Sequence, residues 1–128
     1  MIRQQFDVEN YWKVIVYYNV DYNLFSSIAK ELKNINASDE IIWEIYNMMS
    51  EEKAKAVTYS NLKKHVSIIL FNKHSSLKDY INSIVHEAEH VKQAMLETYH
   101  VEDKEELPAY TIGYLVMRMY EVYRKWLV

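Results

Sequence analysis

The chain has 128 residues, enough for one domain that buries roughly two thirds of the surface exposed by its unfolded form. Half of the residues are hydrophobic and 26% are charged, and the 15 basic and 18 acidic residues are interspersed. No basic stripe beyond Lys63 and Lys64 marks a nucleic-acid binder, no cysteine supports a disulfide or a thiolate metal site, and no apolar run is long enough to span a membrane.

The opening segment, MIRQQFDVENYWKV, has neither an apolar core of signal-peptide length nor a small-residue cleavage site, so a cytoplasmic location is expected. The first element is a strand over Trp12 to Val20, dense in β-branched and aromatic residues. A helix from Asp21 to Asn34 follows, with Leu24, Ile28 and Leu32 at helical spacing and Asp21 as its cap. The next helix starts near Ser38 and runs to about Lys55, carrying Ile41, Ile42, Ile45, Tyr46 and Met49. Val66 to Phe71 (VSIILF) is a short apolar strand bounded by polar residues. The longest helical pattern comes after it, and Ser76 with Asp79 resembles a capping box at its start. The last helix begins between Glu105 and Leu107 and runs to about Trp126, because Pro108 is comfortable only in a first turn. One Gly and one Pro in the whole chain call for few or short loops. The order β-α-α-β-α-α predicts a single α+β domain, a small sheet with about four helices. Within it, residues 1–58 hold a strand and two helices, and residues 59–128 hold a strand, a long central helix and a C-terminal helix.

That central helix contains His86-Glu87-Ala88-Glu89-His90. Histidines four apart share one helix face with their Cβ atoms about 5–6 Å apart, so both imidazoles can reach one ion. Glu87 points to the neighbouring flank, where a carboxylate can hold and deprotonate a metal-bound water. Zinc suits nitrogen and oxygen donors, and a catalytic zinc takes three protein ligands and keeps one position open. Candidates for the third ligand downstream are His100, Glu102, Asp103, Glu105 and Glu106. The competing reading makes His86 and His90 ordinary surface residues beside acidic neighbours.

In this pattern the chain resembles the gluzincins, HExxH metallopeptidases whose third zinc ligand is a glutamate on a following helix. Glu106-Leu107-Pro108-Ala109 matches the ExxA form of that glutamate, and Tyr110 stands where many members have Asp. Gln93 occupies the glycine position of the three-histidine motif HExxHxxGxxH, which sets that family aside. The stretch from about Tyr59 to Tyr120 is also similar to small zincin-like proteins of Bacteroidetes and their phages. The resemblance implies one zinc ion per chain held by His86, His90 and Glu106, with Glu87 as general base and a peptide or protein as substrate. Glu105 and His100 are the alternative ligands. Glu106 has a rival role in a capping box with Asp103, but that register puts Pro108 in the second turn, where its ring and missing N–H are costly.

Tyr110, Tyr114 and Tyr99 are candidate phenols for a developing oxyanion, although most of the 12 tyrosines belong to the core or its rim. Gly113, inside the last helix, fits either a close approach to the HEAEH helix or simple tolerance. Met95, Met117 and Met119 read as core filler, and His65 and His74 as solvent-facing or capping residues. The expected chemistry is attack of an activated water on a peptide carbonyl, with Val66 to Phe71 at the sheet edge pairing with an extended substrate. Two further readings are a zinc-binding zincin-like fold without peptidase activity and a metal-free interaction module.

Overall fold

The computed structural model describes the backbone of residues 1–9, 11–100 and 106–127, with the side chains of all of these except 106, 107, 126 and 127. Along the chain run β1 (Ile2–Val8), β2 (Trp12–Tyr18), a 3-10 turn (Tyr22–Leu24), α1 (Phe25–Asn34) and α2 (Asp39–Ser50). They are followed by β3 (Ala56–Asn61), β4 (Val66–Phe71), α3 (Leu77–Tyr99), α4 (Glu106–Val122) and a π turn (Tyr123–Leu127). The four strands among the described residues form one mixed sheet in the order β1-β2-β4-β3. β2 and β4 run parallel, while β1 and β3 lie antiparallel at the two edges. The class is α+β.

Helices cover both faces of the sheet, and the central strands are built for that. Val14, Val16 and Tyr18 of β2 join Ile69 and Phe71 of β4 in a core under α3 and α4. The alternate residues Ile15, Tyr17, Ile68 and Leu70 join Phe25, Ile28 and Leu32 of α1 and Ile42, Ile45 and Met49 of α2. The parallel register sets Ile15 beside Ile68 and Val16 beside Ile69, so residues of like face meet. A strand buried on both faces reads as a continuous apolar run, which explains why VSIILF stood out. Among the described residues no helix is long and apolar enough to cross a membrane.

Two helix starts follow their expected caps: Ser38 accepts from the Ile41 N–H at 3.1 Å and Ser76 from the Asp79 N–H at 3.1 Å. Asp21 accepts from the Asn23 N–H at 3.0 Å but caps the 3-10 turn, and α1 begins only at Phe25, without a side-chain cap. The Asp79 carboxylate does not fold back to close a box; it pairs with Lys55. With one glycine in the sequence, the tight corners fall to other residues. Glu9, Asn19, Asn36, Glu52, His65 and His100 take positive φ.

Four expectations change. β1 and β3 lack the continuous apolar signature, since as edge strands they carry polar residues such as Arg3, Gln5, Thr58 and Ser60, so the sheet has twice the expected strands. β4 lies inside the sheet, and β3 takes the edge beside it. The second helix ends at Ser50, five residues before Lys55, where the chain turns through Glu52 at φ 56°. The division at residue 58 falls within β3, and the sheet joins strands from both halves.

Candidate metal centre

α3 forms because Tyr80, Ile84, Ala88, Val91 and Met95 recur at intervals of three and four residues and bury one face against the sheet. The same periodicity leaves His86 and His90 on the exposed side. Their rings are 4.9 Å apart between centroids at 78°, and the two Nε2 atoms converge to 3.3 Å. Two nitrogens at the usual zinc distance of about 2.0–2.1 Å and at a tetrahedral angle are separated by roughly 3.3–3.4 Å. The pair therefore has the bite of a two-histidine chelate. One helix supplies both donors, so closing around an ion needs little reorganisation.

Glu87, 100° further round the helix, is 4% exposed and lies against β3, where the Thr58 hydroxyl donates to its Oε1 at 3.0 Å. It is the carboxylate among the buried described residues, whose other polar members are Ser67, Ser83, Lys92 and Thr111. Glu89, the second acid of the motif, is engaged elsewhere. It pairs with Lys92 at 2.7 Å and accepts from the Gln93 amide at 3.0 Å. Below the same helix face, Trp12 Nε1 donates to the Ser67 hydroxyl at 2.9 Å, and the Ser60 and Ser67 hydroxyls lie 2.7 Å apart. A polar line thus runs along β3 and its neighbours beneath α3.

The remaining candidates divide. Glu106 is the first residue of α4, the helix that packs on α3; its side chain lies outside the described residues. That start places Pro108 in the first turn, the register that argues against a cap by Asp103. Glu102, Asp103 and Glu105 lie outside the described residues. His100 ends α3 in a left-handed C-cap, ten residues and so about 15 Å along the axis from His90, and does not meet the histidine pair. Among the described residues no three His, Asp or Glu side chains come together as a metal cage.

Tyr114 donates to the Asp7 carbonyl at 3.2 Å and packs edge-on against Phe6, so it serves to hold α4 on β1. Tyr99 reaches the Tyr11 carbonyl at 3.3 Å and stands beside Trp12 and His65. Tyr110 is 68% exposed on α4. A close helix approach at Gly113 is not found: the residue is exposed, and a Cβ there would meet nothing within 4 Å. Met95 and Met119 are buried as expected, whereas Met117 faces solvent. His65 stacks on Trp12 at 5.4 Å, and His74 is fixed at both nitrogens, 2.7 Å from the Asn72 carbonyl and 2.7 Å from the Ser83 hydroxyl. Burial pushes the Tyr18 and Tyr80 phenols up, and Tyr17 is raised to about 12 by burial and by its bond to Glu31.

Thr58, the partner of Glu87, has no motif in the sequence to mark it. Its signal was the alternation Val57-Thr58-Tyr59-Ser60, β-branched and aromatic but too short and too polar to stand out beside VSIILF. No protein-family model, curated protein or solved structure matches this chain.

Proposed function

We propose that this protein is a zinc-dependent metallopeptidase in which His86, His90 and Glu106 hold one zinc ion and Glu87 is the general base. The observation that carries this reading is the 3.3 Å convergence of the His86 and His90 Nε2 atoms on the exposed face of α3. The buried Glu87 beside them adds to it, since helix–sheet packing alone gives no reason to bury a carboxylate. A zinc ion held there would supply Lewis acidity toward the substrate carbonyl and the attacking water. Glu87 accepts the proton of the attacking water and returns it to the leaving amine. β3, the edge strand packed against α3, offers unpaired backbone groups to an extended peptide, a role expected of β4 from the sequence. Of the three candidate tyrosines Tyr110 is the most exposed, whereas Tyr99 and Tyr114 are bonded to backbone carbonyls. We place the protein in the cytoplasm and its substrate among peptides or proteins rather than nucleic acids.

A second reading, a zinc-binding protein that cleaves nothing, is favoured by the openness of the site. Both histidines lie on an open helix surface.

Elemental analysis of the wild type beside a His86→Ala/His90→Ala variant tests the site. About one zinc per chain, lost in the double variant, is expected. Glu87→Gln should retain the zinc and abolish hydrolysis of a peptide library. Zinc without hydrolysis in the wild type selects the second reading, and no zinc after reconstitution leaves a metal-free interaction module.

A further inference from the structure

We infer that Thr58 on edge strand β3 is a positioning residue for Glu87, coupling the strand that receives substrate to the group that moves the proton. The inference rests on the zinc-peptidase reading above.

The geometry is asymmetric at the carboxylate. Thr58 Oγ1 donates to Glu87 Oε1 at 3.0 Å, and the Glu87 carboxylate makes no other hydrogen bond among the described residues. The second Glu87 oxygen takes no hydrogen bond from a described residue, and the residue as a whole is 4% exposed. One oxygen is anchored by Thr58 and the other has no partner among the described residues. That is the arrangement a general base needs, because a carboxylate free to rotate spends most of its time misaligned with the proton it must take.

A purely structural account of this pair is unconvincing on physical grounds. The surrounding helix face is mainly apolar, with Tyr80, Ile84, Ala88 and Val91 on it and Ser83 and Lys92 as its other buried polar residues. A single neutral hydroxyl does not offset the desolvation of a carboxylate, and an apolar pair of similar volume would serve the packing better. Thr58 itself sits where both functions meet. It is in mid-β3, opposite Ile69 of β4, with its side chain under α3 and its backbone in the exposed edge strand. A peptide added to that edge fixes the strand, and with it the hydroxyl that orients Glu87.

The test compares Thr58→Val, which keeps the shape and removes the hydroxyl, with Thr58→Ser, which keeps the hydroxyl. Zinc stoichiometry is measured for each, kcat and KM for a cleaved peptide, and the visible spectrum of the cobalt-substituted protein. Thr58→Val should bind metal at wild-type stoichiometry and KM should hold, while kcat falls about 10–100-fold. Its cobalt spectrum should depart from the wild type, and Thr58→Ser should restore both properties. Wild-type kcat and an unchanged cobalt spectrum in Thr58→Val would overturn the inference, as would loss of metal from that variant. If Thr58→Val does not fold, Thr58→Ala, which only removes atoms, carries the same comparison. A wild type that binds no metal refutes the zinc reading itself. One that binds metal but cleaves nothing leaves the cobalt spectrum to decide on Thr58.

Discussion

Along α3 the residues of one short motif have been sorted by helix angle into different environments. His86 and His90 are exposed, Ala88 is fully buried, and Glu87 lies under the helix edge against Thr58. Spacing alone set the histidine pair on one face, because four residues make slightly more than one turn. Spacing also set Glu87 on an adjacent flank, but the partner of that flank came from elsewhere in the chain. Gly113 shows the opposite case, a residue whose position fitted either a close helix approach or simple tolerance, and the fold makes no close approach there among the described residues. Exposed in mid-helix with open space where a Cβ would stand, it carries the backbone-entropy cost of glycine without a packing return. Gly113→Ala should therefore raise stability by about 0.5–1 kcal/mol in chemical denaturation and leave metal content unchanged. A destabilised variant would overturn this account of the position.

At the level of elements, the sequence showed the buried ones and hid the half-exposed ones. β2 and β4 are apolar on both faces, α1 to α3 carry clear helical spacing, and Ser38 and Ser76 cap where expected. β1 and β3 were invisible because an edge strand needs only one good apolar face, and theirs are interrupted by polar residues with partners across the fold. Arg3 of β1 illustrates this. Its guanidinium contacts Glu31 of α1 at 2.7 Å and 3.0 Å, and the Tyr17 phenol bonds the same carboxylate. The Arg3 hydrogen bond, stronger here than the opposing effect of burial, holds the Glu31 carboxyl below its ordinary value. A carboxylate whose pKa is depressed in the folded state stabilises it above the unfolded value of about 4.3, and that stabilisation is lost as the pH falls through the folded value. Wild-type stability should thus drop more steeply below about pH 4.3 than that of Glu31→Gln, and the two curves should converge in acid. The effect is modest because Arg3 is two-fifths exposed and solvent screens the pair. Parallel curves throughout, followed by thermal melts at stepped pH, would show that the pair contributes nothing.

For the whole molecule, a single sheet separates two cores and binds them together. Ile68 and Ile69 are neighbours in β4, both fully buried, yet one points to α1 and α2 and the other to α3 and α4. Ile68→Ala and Ile69→Ala should each cost about 2–5 kcal/mol, and each should lower one common melting transition. Two separate transitions in either variant would show that the layers unfold independently.

By itself the sequence determined the apolar central strands, the existence of the helices, the Ser38 and Ser76 caps, the exposed histidine pair and the start of α4 at Pro108's first turn. All of these follow from local periodicity, backbone sterics and capping chemistry within a few residues. Only the tertiary structure decided which strand forms the sheet edge, that Thr58 meets Glu87, and that Tyr114 and Tyr99 are tied to β1 and to the segment before β2. Those pairings join residues between 29 and 107 positions apart. They arise from how the sheet orders its strands and how each helix settles on it, and no local pattern encodes that order.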